Sequence, residues 1–305
     1  MKNPPAEIVT SSASSWRDYL ALTKPRVVYL IVFTGLIGML MSTPGLVPLD
    51  ILVFGNLGIA LAAASAAAIN HVAEHRIDAL MARTQHRPLP QGELGVRQAL
   101  SFALVLGFLS MYLLVAFVNT LTAVLTFLSL IGYALVYTLF LKHATPQNIV
   151  IGGAAGAAPP VLGWTAVTGT LDPHALLLFL IIFAWTPPHF WALAIYRRNE
   201  YAKAKIPMLP ITHGTAFTRL HVLFYTILMV AVTLLPYATY MSGHLYLVCA
   251  LVLNAIFLYY AIRMQFDDDD ALAFKTFKYS IVYLTLLFAA LFADHYWPLV
   301  RAALA

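Results

Sequence analysis

Charged residues are scarce in this chain. Asp, Glu, Lys and Arg together make up 10% of its 305 residues, while hydrophobic residues make up 61%. Soluble domains carry roughly 25% charged residues, so this composition cannot cover a surface that faces water. The scarcity excludes a soluble globular protein and predicts an integral membrane protein, whose first partner is the lipid bilayer.

Cysteine is almost absent, and no cleavable leader is visible. The single Cys249 lies inside an apolar run, which excludes an intrachain disulfide and argues against a thiolate metal site. The first 25 residues contain Glu7 and Asp18 and lack an apolar core, so they match neither a signal peptide nor an Arg-rich transit peptide. We therefore expect a bacterial plasma membrane, that is, the cell inner membrane.

Long apolar runs are abundant, and they have the length of transmembrane helices. A bilayer core needs about 20 apolar residues per helical crossing, and unbroken runs favour helices over the alternation of a β-barrel. The sequence contains about nine such runs, at roughly 26–43, 48–71, 97–117, 120–141, 148–168, 174–195, 218–240, 244–263 and 279–300. This pattern predicts an all-α polytopic protein with a cytoplasmic N-terminal segment (1–25) and a single transmembrane domain (26–305).

Basic residues are distributed unevenly among the connections. All 18 Lys and Arg except Arg301 lie before residue 27 or in four connections, at about 74–97, 141–148, 196–219 and 263–278. Cytoplasmic loops of membrane proteins carry the excess of Lys and Arg, so these four connections and the N-terminus are predicted to be cytoplasmic. The same bias explains the net charge of +5 and gives no reason to expect nucleic acid as a partner.

One polar stripe stands out at the cytoplasmic end of the second run. Asn70, Glu74 and Asp78 are spaced four residues apart, which places them on one face of a helix. Magnesium prefers oxygen ligands and is usually held by one or two carboxylates together with substrate phosphates. Arg83 and Arg87 follow at once and suit the oxygens of a diphosphate. An ordinary solvated loop is the alternative, but ionisable groups at membrane depth are functional by default.

A second stretch, "RRNEYAKAKIPMLP", repeats this pattern four runs later. It places Glu200 among basic residues and ends in a tail similar to that of the first stretch, "RPLP" at 87–90 against "PMLP" at 207–210, with Gly92 and Gly214 following. This similarity indicates a weak parallel internal repeat. If the halves pack around a common axis, both acidic groups face a central cavity that opens to the cytoplasm and encloses one diphosphate.

Five stretches then carry a resemblance to a known family. They are "LTKPRVV" (22–28), residues 70–90, 137–169 and 185–210, and "FKYSIVYLTLLF" (277–288). The chain resembles the intramembrane prenyltransferases typified by 4-hydroxybenzoate polyprenyltransferase, and "NIVIGG", "AGAAPPVLGW" and "TPPHFWALA" are more specific to the branch of that superfamily that farnesylates haem. The resemblance spans almost the whole chain.

The resemblance implies a set of site residues. Asn70, Glu74 and Asp78 would form the first magnesium-binding motif and Glu200 would belong to the second, all four serving catalysis. Arg26 and Lys142 would join Arg83 and Arg87 around the diphosphate. Glu74 and Glu200 stand where many members of the family have Asp, which changes the reach of the ligand but not its chemistry. The second motif is also poor in acids, so we expect the first motif to dominate metal binding.

The implied activity is that of a transferase. The farnesyl group of farnesyl diphosphate would pass to a vinyl group of haem b with addition of water, giving haem O and diphosphate. Haem b is then a substrate rather than a cofactor, Mg²⁺ is the cofactor, and the partners downstream are haem A synthase or the assembly pathway of a terminal oxidase.

Three other functions compete with this interpretation. They are a prenyltransferase with another acceptor, a transporter of an anionic solute, and an assembly factor that needs no metal. The transporter is disfavoured because the ionisable residues collect at one face instead of near the midplane.

Several further residues keep two interpretations each. His189 follows Pro187 and Pro188 and is either an axial ligand of haem iron or a buried histidine bonded to a carbonyl freed by these prolines. Five aromatic residues are candidates for stabilising a carbocation, although aromatic residues in crossings usually serve packing or anchor the membrane interface: Tyr137, Trp164, Trp185, Phe190 and Trp191. A zinc site is disfavoured because its possible ligands lie among arginines: His71, His75 and His86. The acidic run 267–270 is predicted to be a solvated surface.

Overall fold

The computed structural model describes residues 14–267 and 269–304, and within these ranges it contains helices and no strand. Eight helices are long and apolar enough to cross a membrane. A ninth crossing results if the pair Trp16–Leu22 and Pro25–Met41, bent by 54°, is one span. Length and composition therefore confirm the predicted polytopic all-α fold.

We number the helices in chain order. They are α1 (Trp16–Leu22), α2 (Pro25–Met41), α3 (Leu49–Asp78), α4 (Pro88–Gln91), α5 (Val96–Phe117), α6 (Thr120–Ile131), α7 (Lys142–Ala144), α8 (Asn148–Ala157), α9 (Pro159–Thr168), α10 (Pro173–Tyr196), α11 (Arg198–Lys203), α12 (Leu209–Thr212), α13 (Thr215–Ala238), α14 (His244–Phe266) and α15 (Asp270–Leu304). Between α6 and α7, residues Gly132–Leu141 continue the same crossing as a π-helix.

Polar caps determine where several helices begin. Ser15 starts α1 with a capping box, in which the Asp18 carboxylate accepts a hydrogen bond from the Ser15 N–H group at 2.7 Å. Asn119 and Asp172 start α6 and α10 by accepting hydrogen bonds from backbone N–H groups in the first turn at 2.8 Å and 2.7 Å. These side chains accept hydrogen bonds from backbone N–H groups that have no partner inside the helix. Each of these three helices therefore begins directly after its capping residue.

The crossing of α2 and α9 depends on small residues. A Cβ atom added to Gly38 would lie 2.2 Å from the carbonyl oxygen of Pro160, and one added to Gly163 would lie 2.0 Å from that of Gly35. Only glycine permits this approach of two backbones, which is how helices associate tightly in membranes. This contact explains Gly163 in the stretch "AGAAPPVLGW", which covers the end of α8 and the first part of α9.

The internal repeat is visible in two short helices. An extended residue precedes both α4 and α12, Arg87 with φ −73° and ψ 152° and Met208 with φ −71° and ψ 149°. Each helix is followed by a glycine with positive φ, Gly92 at 75° and Gly214 at 84°. The two motifs share the extended residue and the short helix, but the glycines differ, since Gly92 has ψ 10° and ends α4, whereas Gly214 has ψ 166° and precedes α13 directly.

Two helix boundaries differ from those predicted. The helix α3 runs to Asp78 instead of ending near 71, and α15 begins at Asp270 instead of near 279. Hydropathy cannot find these ends, because polar residues continue both helices beyond the apolar core. Of the predicted N-terminal segment, residues 1–13 lie outside the described residues, and α1 occupies most of the rest.

Candidate active site

The polar stripe, Asn70, Glu74 and Asp78, lies in the last turns of α3. All three side chains are buried, with 3–5% of each residue exposed. Because α3 stays helical to Asp78, the spacing of four residues places the three side chains on one face. The structure thus brings these three predicted residues together in a buried position.

Each residue of the stripe is bonded to one cation from another part of the chain. Arg87 bonds to the Asp78 carboxylate at 2.6 Å, and Lys142 forms an ion pair with Glu74. The Lys24 amine donates a hydrogen bond to the Asn70 side-chain oxygen. A buried carboxylate without a partner is costly, so these cations allow the stripe to be buried.

Lys24 is a site residue that the sequence analysis did not assign. It has φ 50°, a left-handed conformation that is rare for a residue other than glycine, and it stands directly before Pro25, the first residue of α2. The Lys24 amine donates a hydrogen bond to Asn70, so this backbone turn places the amine beside the stripe. The sequence offered one indication of this residue, since Lys24 directly precedes a proline that starts a helix at the basic end of the bundle.

The other predicted diphosphate-binding residues lie differently. Arg83 is exposed, but it is close enough for its charge to act on Tyr201 and on the His71 ring. Arg26 is exposed and makes no hydrogen bond or ion pair with any residue that the structure describes. Its role therefore stays a prediction without a contact to support it.

The second motif lies on α11, beside the first. One oxygen of Glu200 accepts a hydrogen bond from Arg197 at 2.8 Å, while its other oxygen, Oε2, is buried without a partner. Ile77 and Met81, from the end of the first motif, pack in one cluster with Tyr201. Burial raises the pKa of the Tyr201 hydroxyl, and charges from both motifs act on it as well. The two motifs thus form neighbouring walls of one site.

The donor set fits a divalent cation of the magnesium type. Among the described residues, no three or more His, Cys, Asp or Glu side chains are close enough to hold a metal on their own. Asn70, Glu74, Asp78 and Glu200 supply oxygen atoms only, and Glu200 Oε2 has no other partner. Magnesium suits such an incomplete set because it completes its shell with water and substrate phosphates.

The structure does not support a zinc site at the three histidines. His75 bonds to the carbonyl of Val72 in its own helix at 2.8 Å, and His86 is exposed beside Gln85. His71 is buried, and neither of its ring nitrogens has a hydrogen-bond partner. Among the residues that the structure describes, no group of three or more possible metal ligands contains these rings.

The π-helix Gly132–Leu141 positions side chains beside the stripe. Its Thr138 hydroxyl lies 3.4 Å from the side-chain nitrogen of Asn70 and donates to the Tyr133 carbonyl at 2.9 Å. The Tyr137 ring packs so closely on α8 that a Cβ atom on Gly152 would lie 2.2 Å from it. A π-helix inside a long helix often marks a functional site, and here it aligns Tyr137, Thr138 and Lys142 with the motif.

His189 lies deep in α10 and bonds to the last helix. Its Nδ1 atom is 2.6 Å from the hydroxyl oxygen of Ser280, and its ring stacks on Trp185 with centroids 4.1 Å apart. The predicted alternative partner, a carbonyl freed by Pro187 or Pro188, is wrong, because α10 remains helical through both prolines and brings the ring against α15. Whether His189 meets haem is a separate question.

The aromatic candidates divide by exposure. Trp164, Trp185 and Trp191 are buried at 0–6%, whereas Phe190 is 40% exposed on the outside of the bundle. Trp191 packs edge-on against Tyr225, in a cluster with residues of the second motif. Exposure makes Phe190 the weakest candidate for stabilising a carbocation.

The acidic run 267–270 has a structural role where the structure describes it. Asp270 forms an ion pair with Arg198 and so joins the start of α15 to the second motif. Asp269 accepts a hydrogen bond from the Ala271 N–H group at 2.8 Å. Both contacts agree with a surface segment, as predicted, while Asp268 lies outside the described residues.

Two cavities in the described part of the chain are poorer candidates for the active site than the stripe. Two lie on the outer surface, one between Tyr19 and Phe102 and the other beside Phe108 and Tyr112. Neither is lined by a residue of the stripe, whose oxygen atoms are bonded to Lys24, Arg87 and Lys142.

A helical membrane bundle with two acidic motifs and matched cations at one end defines an intramembrane prenyltransferase. The model of the UbiA prenyltransferase family matches residues 31–298, and the chain belongs to this family. It is 62% identical over 282 residues to the protoheme IX farnesyltransferase of Methylococcus capsulatus, covering 92% of this chain and 95% of the relative.

Solved structures with low sequence identity share the fold. A digeranylgeranylglyceryl phosphate synthase superposes with a TM-score of 0.77 at 20% identity, covering 92% of this chain and 98% of that one. A UbiA homolog from Archaeoglobus fulgidus bound to GPP and Mg²⁺ gives a TM-score of 0.60 at 18% identity, covering 90% and 99%.

Proposed function

We propose that this protein transfers the farnesyl group of farnesyl diphosphate to a vinyl group of haem b, with addition of water, and releases haem O and diphosphate. The observation that carries the proposal is the 62% identity, over nearly the full length of both chains, to a protoheme IX farnesyltransferase. The buried stripe with its matched cations is what such a reaction needs. The transporter alternative is not favoured, because the buried charges gather at one end of the bundle.

We propose that Asn70, Glu74, Asp78 and Glu200 hold Mg²⁺ together with the diphosphate of the substrate. Their oxygen-only chemistry supports this, as does the unpartnered Oε2 of Glu200. The UbiA homolog of A. fulgidus was solved with Mg²⁺ and a prenyl diphosphate, which makes the same cofactor reasonable here. When bound, the ion supplies positive charge to the oxygens that carry the leaving group's growing negative charge.

The cations beside the stripe are proposed to bind the diphosphate. Arg87 and Lys142 contact Asp78 and Glu74 directly. With Asp78 and Glu74 holding a metal, Arg87 and Lys142 would be free to bond to diphosphate oxygens. Lys24 and Arg83 add two more positive groups within the same region. Charge stabilisation of this kind often contributes more to catalysis than any other effect.

We propose that transfer begins at the diphosphate. The bond between the first farnesyl carbon and the diphosphate oxygen breaks, and its electron pair leaves with the diphosphate. The π electrons of the haem vinyl group then form the new carbon–carbon bond with the allylic cation. Water adds to the porphyrin-side cation that results and loses a proton, which leaves a hydroxyl group. Buried aromatic rings such as Trp185 stabilise cations without attacking them.

We propose that His189 approaches the haem iron as an axial ligand. It lies eleven residues before Glu200, so it is well separated along the bundle from the proposed metal site. In the His189→Ala protein, the absorption spectrum of bound haem should change and haem affinity should fall, while use of farnesyl diphosphate stays near that of the wild type. An unchanged haem spectrum in His189→Gln would contradict this role.

The location and partners are also proposals. We propose that the protein lies in a bacterial inner membrane with its basic end in the cytoplasm, since 17 of 18 Lys and Arg lie in the connections at that end or before residue 27. The product keeps a porphyrin and gains a lipid tail. The enzymes that use it next are therefore expected in the same membrane, and haem A synthase or a terminal oxidase pathway fits that requirement.

One assay tests the activity and its cofactor. Purified protein in detergent is incubated with farnesyl diphosphate, haem b and Mg²⁺, and the haems are separated by chromatography. We expect a heavier, more hydrophobic haem, its loss in excess chelator, its return with added Mg²⁺, and no product from a folded Asp78→Asn variant. A parallel reaction replaces haem b with 4-hydroxybenzoate. Product from that acceptor alone would make another acceptor the correct function, and full activity in chelator would exclude the proposed metal.

A further inference from the structure

Ser280 makes two short contacts that together determine a proton position. Its hydroxyl oxygen lies 2.6 Å from the carbonyl oxygen of Phe277 and 2.6 Å from Nδ1 of His189. A carbonyl oxygen can only accept, so at this separation the single hydroxyl hydrogen must lie between Ser280 and Phe277. The hydroxyl oxygen is then left to accept, and the hydrogen between Ser280 and His189 must be carried by Nδ1.

The opposite arrangement is disfavoured by the same geometry. If Ser280 donated its hydrogen to an unprotonated Nδ1, its oxygen and the Phe277 carbonyl oxygen would face each other at 2.6 Å with no hydrogen between them. Two acceptors at that distance repel, and Ser280 is fully buried, so water cannot separate them. The neutral ring therefore carries its hydrogen on Nδ1, which leaves a lone pair on Nε2.

The surroundings hold the ring in this orientation. Trp185 stacks on it at 4.1 Å with the planes 21° apart, and Phe277 packs against it at 4.7 Å. Trp185 is itself fixed, since its indole N–H donates to the backbone carbonyl of Ser280 at 2.8 Å. Of the two ring nitrogens, Nδ1 bonds to Ser280, and Nε2 forms no hydrogen bond with any residue that the structure describes.

We propose that Ser280 is a positioning residue, which fixes His189 in the Nδ1–H form so that Nε2 presents its lone pair to the iron of haem b. Histidines that bind metals usually donate their other ring N–H to an acceptor, which sets the tautomer and the ring orientation. A serine hydroxyl whose own hydrogen is bound elsewhere is such an acceptor. This inference rests on the proposed use of haem as substrate, but the tautomer itself is a property of the protein alone.

The tautomer is tested first, without haem. Protein with ¹⁵N-labelled histidine is reconstituted in lipid, and the His189 signals are assigned by their loss in His189→Gln. We expect a protonated Nδ1 and an unprotonated Nε2 in the wild type, a mixture of tautomers in Ser280→Ala, and the wild-type form again in Ser280→Thr, which keeps a hydroxyl. A wild-type ring protonated on Nε2, or no change in Ser280→Ala, overturns the proposal.

Haem titration tests the consequence for the iron. Loss of an outer partner of a metal-bound histidine typically lowers metal affinity 10- to 100-fold, so we expect a loss of about this size in Ser280→Ala, with a shifted haem spectrum and an unchanged KM for farnesyl diphosphate. Thr285→Ala is the matched control. It removes an exposed hydroxyl from the same helix that bonds only to the Ile281 carbonyl, and it should leave affinity and spectrum unchanged.

The two proposals fail in different ways. If Ser280→Ala changes the tautomer but neither haem affinity nor spectrum, the ring does not ligate iron and the positioning role is refuted. If the wild-type protein makes no farnesylated haem, although its haem spectrum responds to Ser280→Ala and recovers in Ser280→Thr, the proposed activity is wrong and the positioning role stands.

Discussion

Single and double variants of the ion pair between Lys142 and Glu74 can separate its effect on folding stability from its effect on catalysis. Both side chains are largely buried, with 14% and 7% of their surfaces exposed. Glu74→Gln and Lys142→Met each leave one buried charge without its partner, whereas the double variant removes both charges. We therefore expect the double variant to recover stability relative to the sum of the single variants, and all three to lack transferase activity.

The magnitude follows from the burial of the pair. Removing one partner of a buried ion pair costs about 3–5 kcal/mol, and we take about 3 kcal/mol because Lys142 keeps some exposure. Replacing both charges by neutral groups of similar size leaves no charge unpaired, so the double variant should lose about 3 kcal/mol instead of the summed cost of about 6 kcal/mol. The resulting coupling of about 3 kcal/mol is at the upper end for residues in contact.

The measurement combines unfolding and turnover. Helix content is followed by circular dichroism during denaturation in mixed micelles, and haem product is quantified by chromatography for the same four proteins. Additive single costs would show that the pair does not stabilise the fold. Recovery of transfer in the double variant would refute the assignment of Glu74 as a metal ligand, because glutamine at that position cannot supply the carboxylate charge.

Two further predictions concern contacts that the sequence did not reveal. Lys24→Ala should raise the KM for farnesyl diphosphate about tenfold, because it removes one basic group that we propose binds the diphosphate and that bonds to Asn70 in the stripe. Arg17→Ala, on the exposed side of α1, should leave the KM unchanged. Equal KM values of the two variants in steady-state assays would contradict the role of Lys24. Gly152→Ala should lower kcat severalfold, because its Cβ atom would displace the Tyr137 ring. Gly156→Ala is the control, because its Cβ atom would meet nothing within 4 Å, and it should retain activity. Equal turnover of the two variants would show that catalysis does not depend on the position of Tyr137.

The fold was predictable because its signal is repeated in every crossing. Runs of about 20 apolar residues can only be buried in lipid as helices. Each run can therefore be recognised from its own residues, without knowledge of the helices it packs against. The ends were less predictable, since α3 and α15 continue through polar residues once other helices cover them. Asp270 illustrates the reason: its partner Arg198 is 72 residues away in the sequence, and no local pattern links them.

The site was predictable only in part. A fixed spacing of four residues identifies Asn70, Glu74 and Asp78, because a helix converts that spacing into one face. The partner of each is a long-range contact, and Lys24 was missed because its backbone strain and its distance to Asn70 exist only in three dimensions. Ser280 gave no signal at all, since a serine in an apolar run normally bonds to its own helix, as this one also does through Phe277.

The pairing of the stripe with cations has a consequence for how the site works. Glu74 and Asp78 are buried, and Lys142 and Arg87 give each carboxylate a positive partner. If the carboxylates hold a metal as we propose, the same cations become available to the diphosphate, and substrate binding would exchange one set of ion pairs for another. On this proposal, the site depends on its cations for folding as well as for catalysis. Variants of Lys142 and Arg87 therefore have to be compared by stability and turnover together, since loss of activity alone does not distinguish a missing diphosphate contact from a stripe that no longer folds.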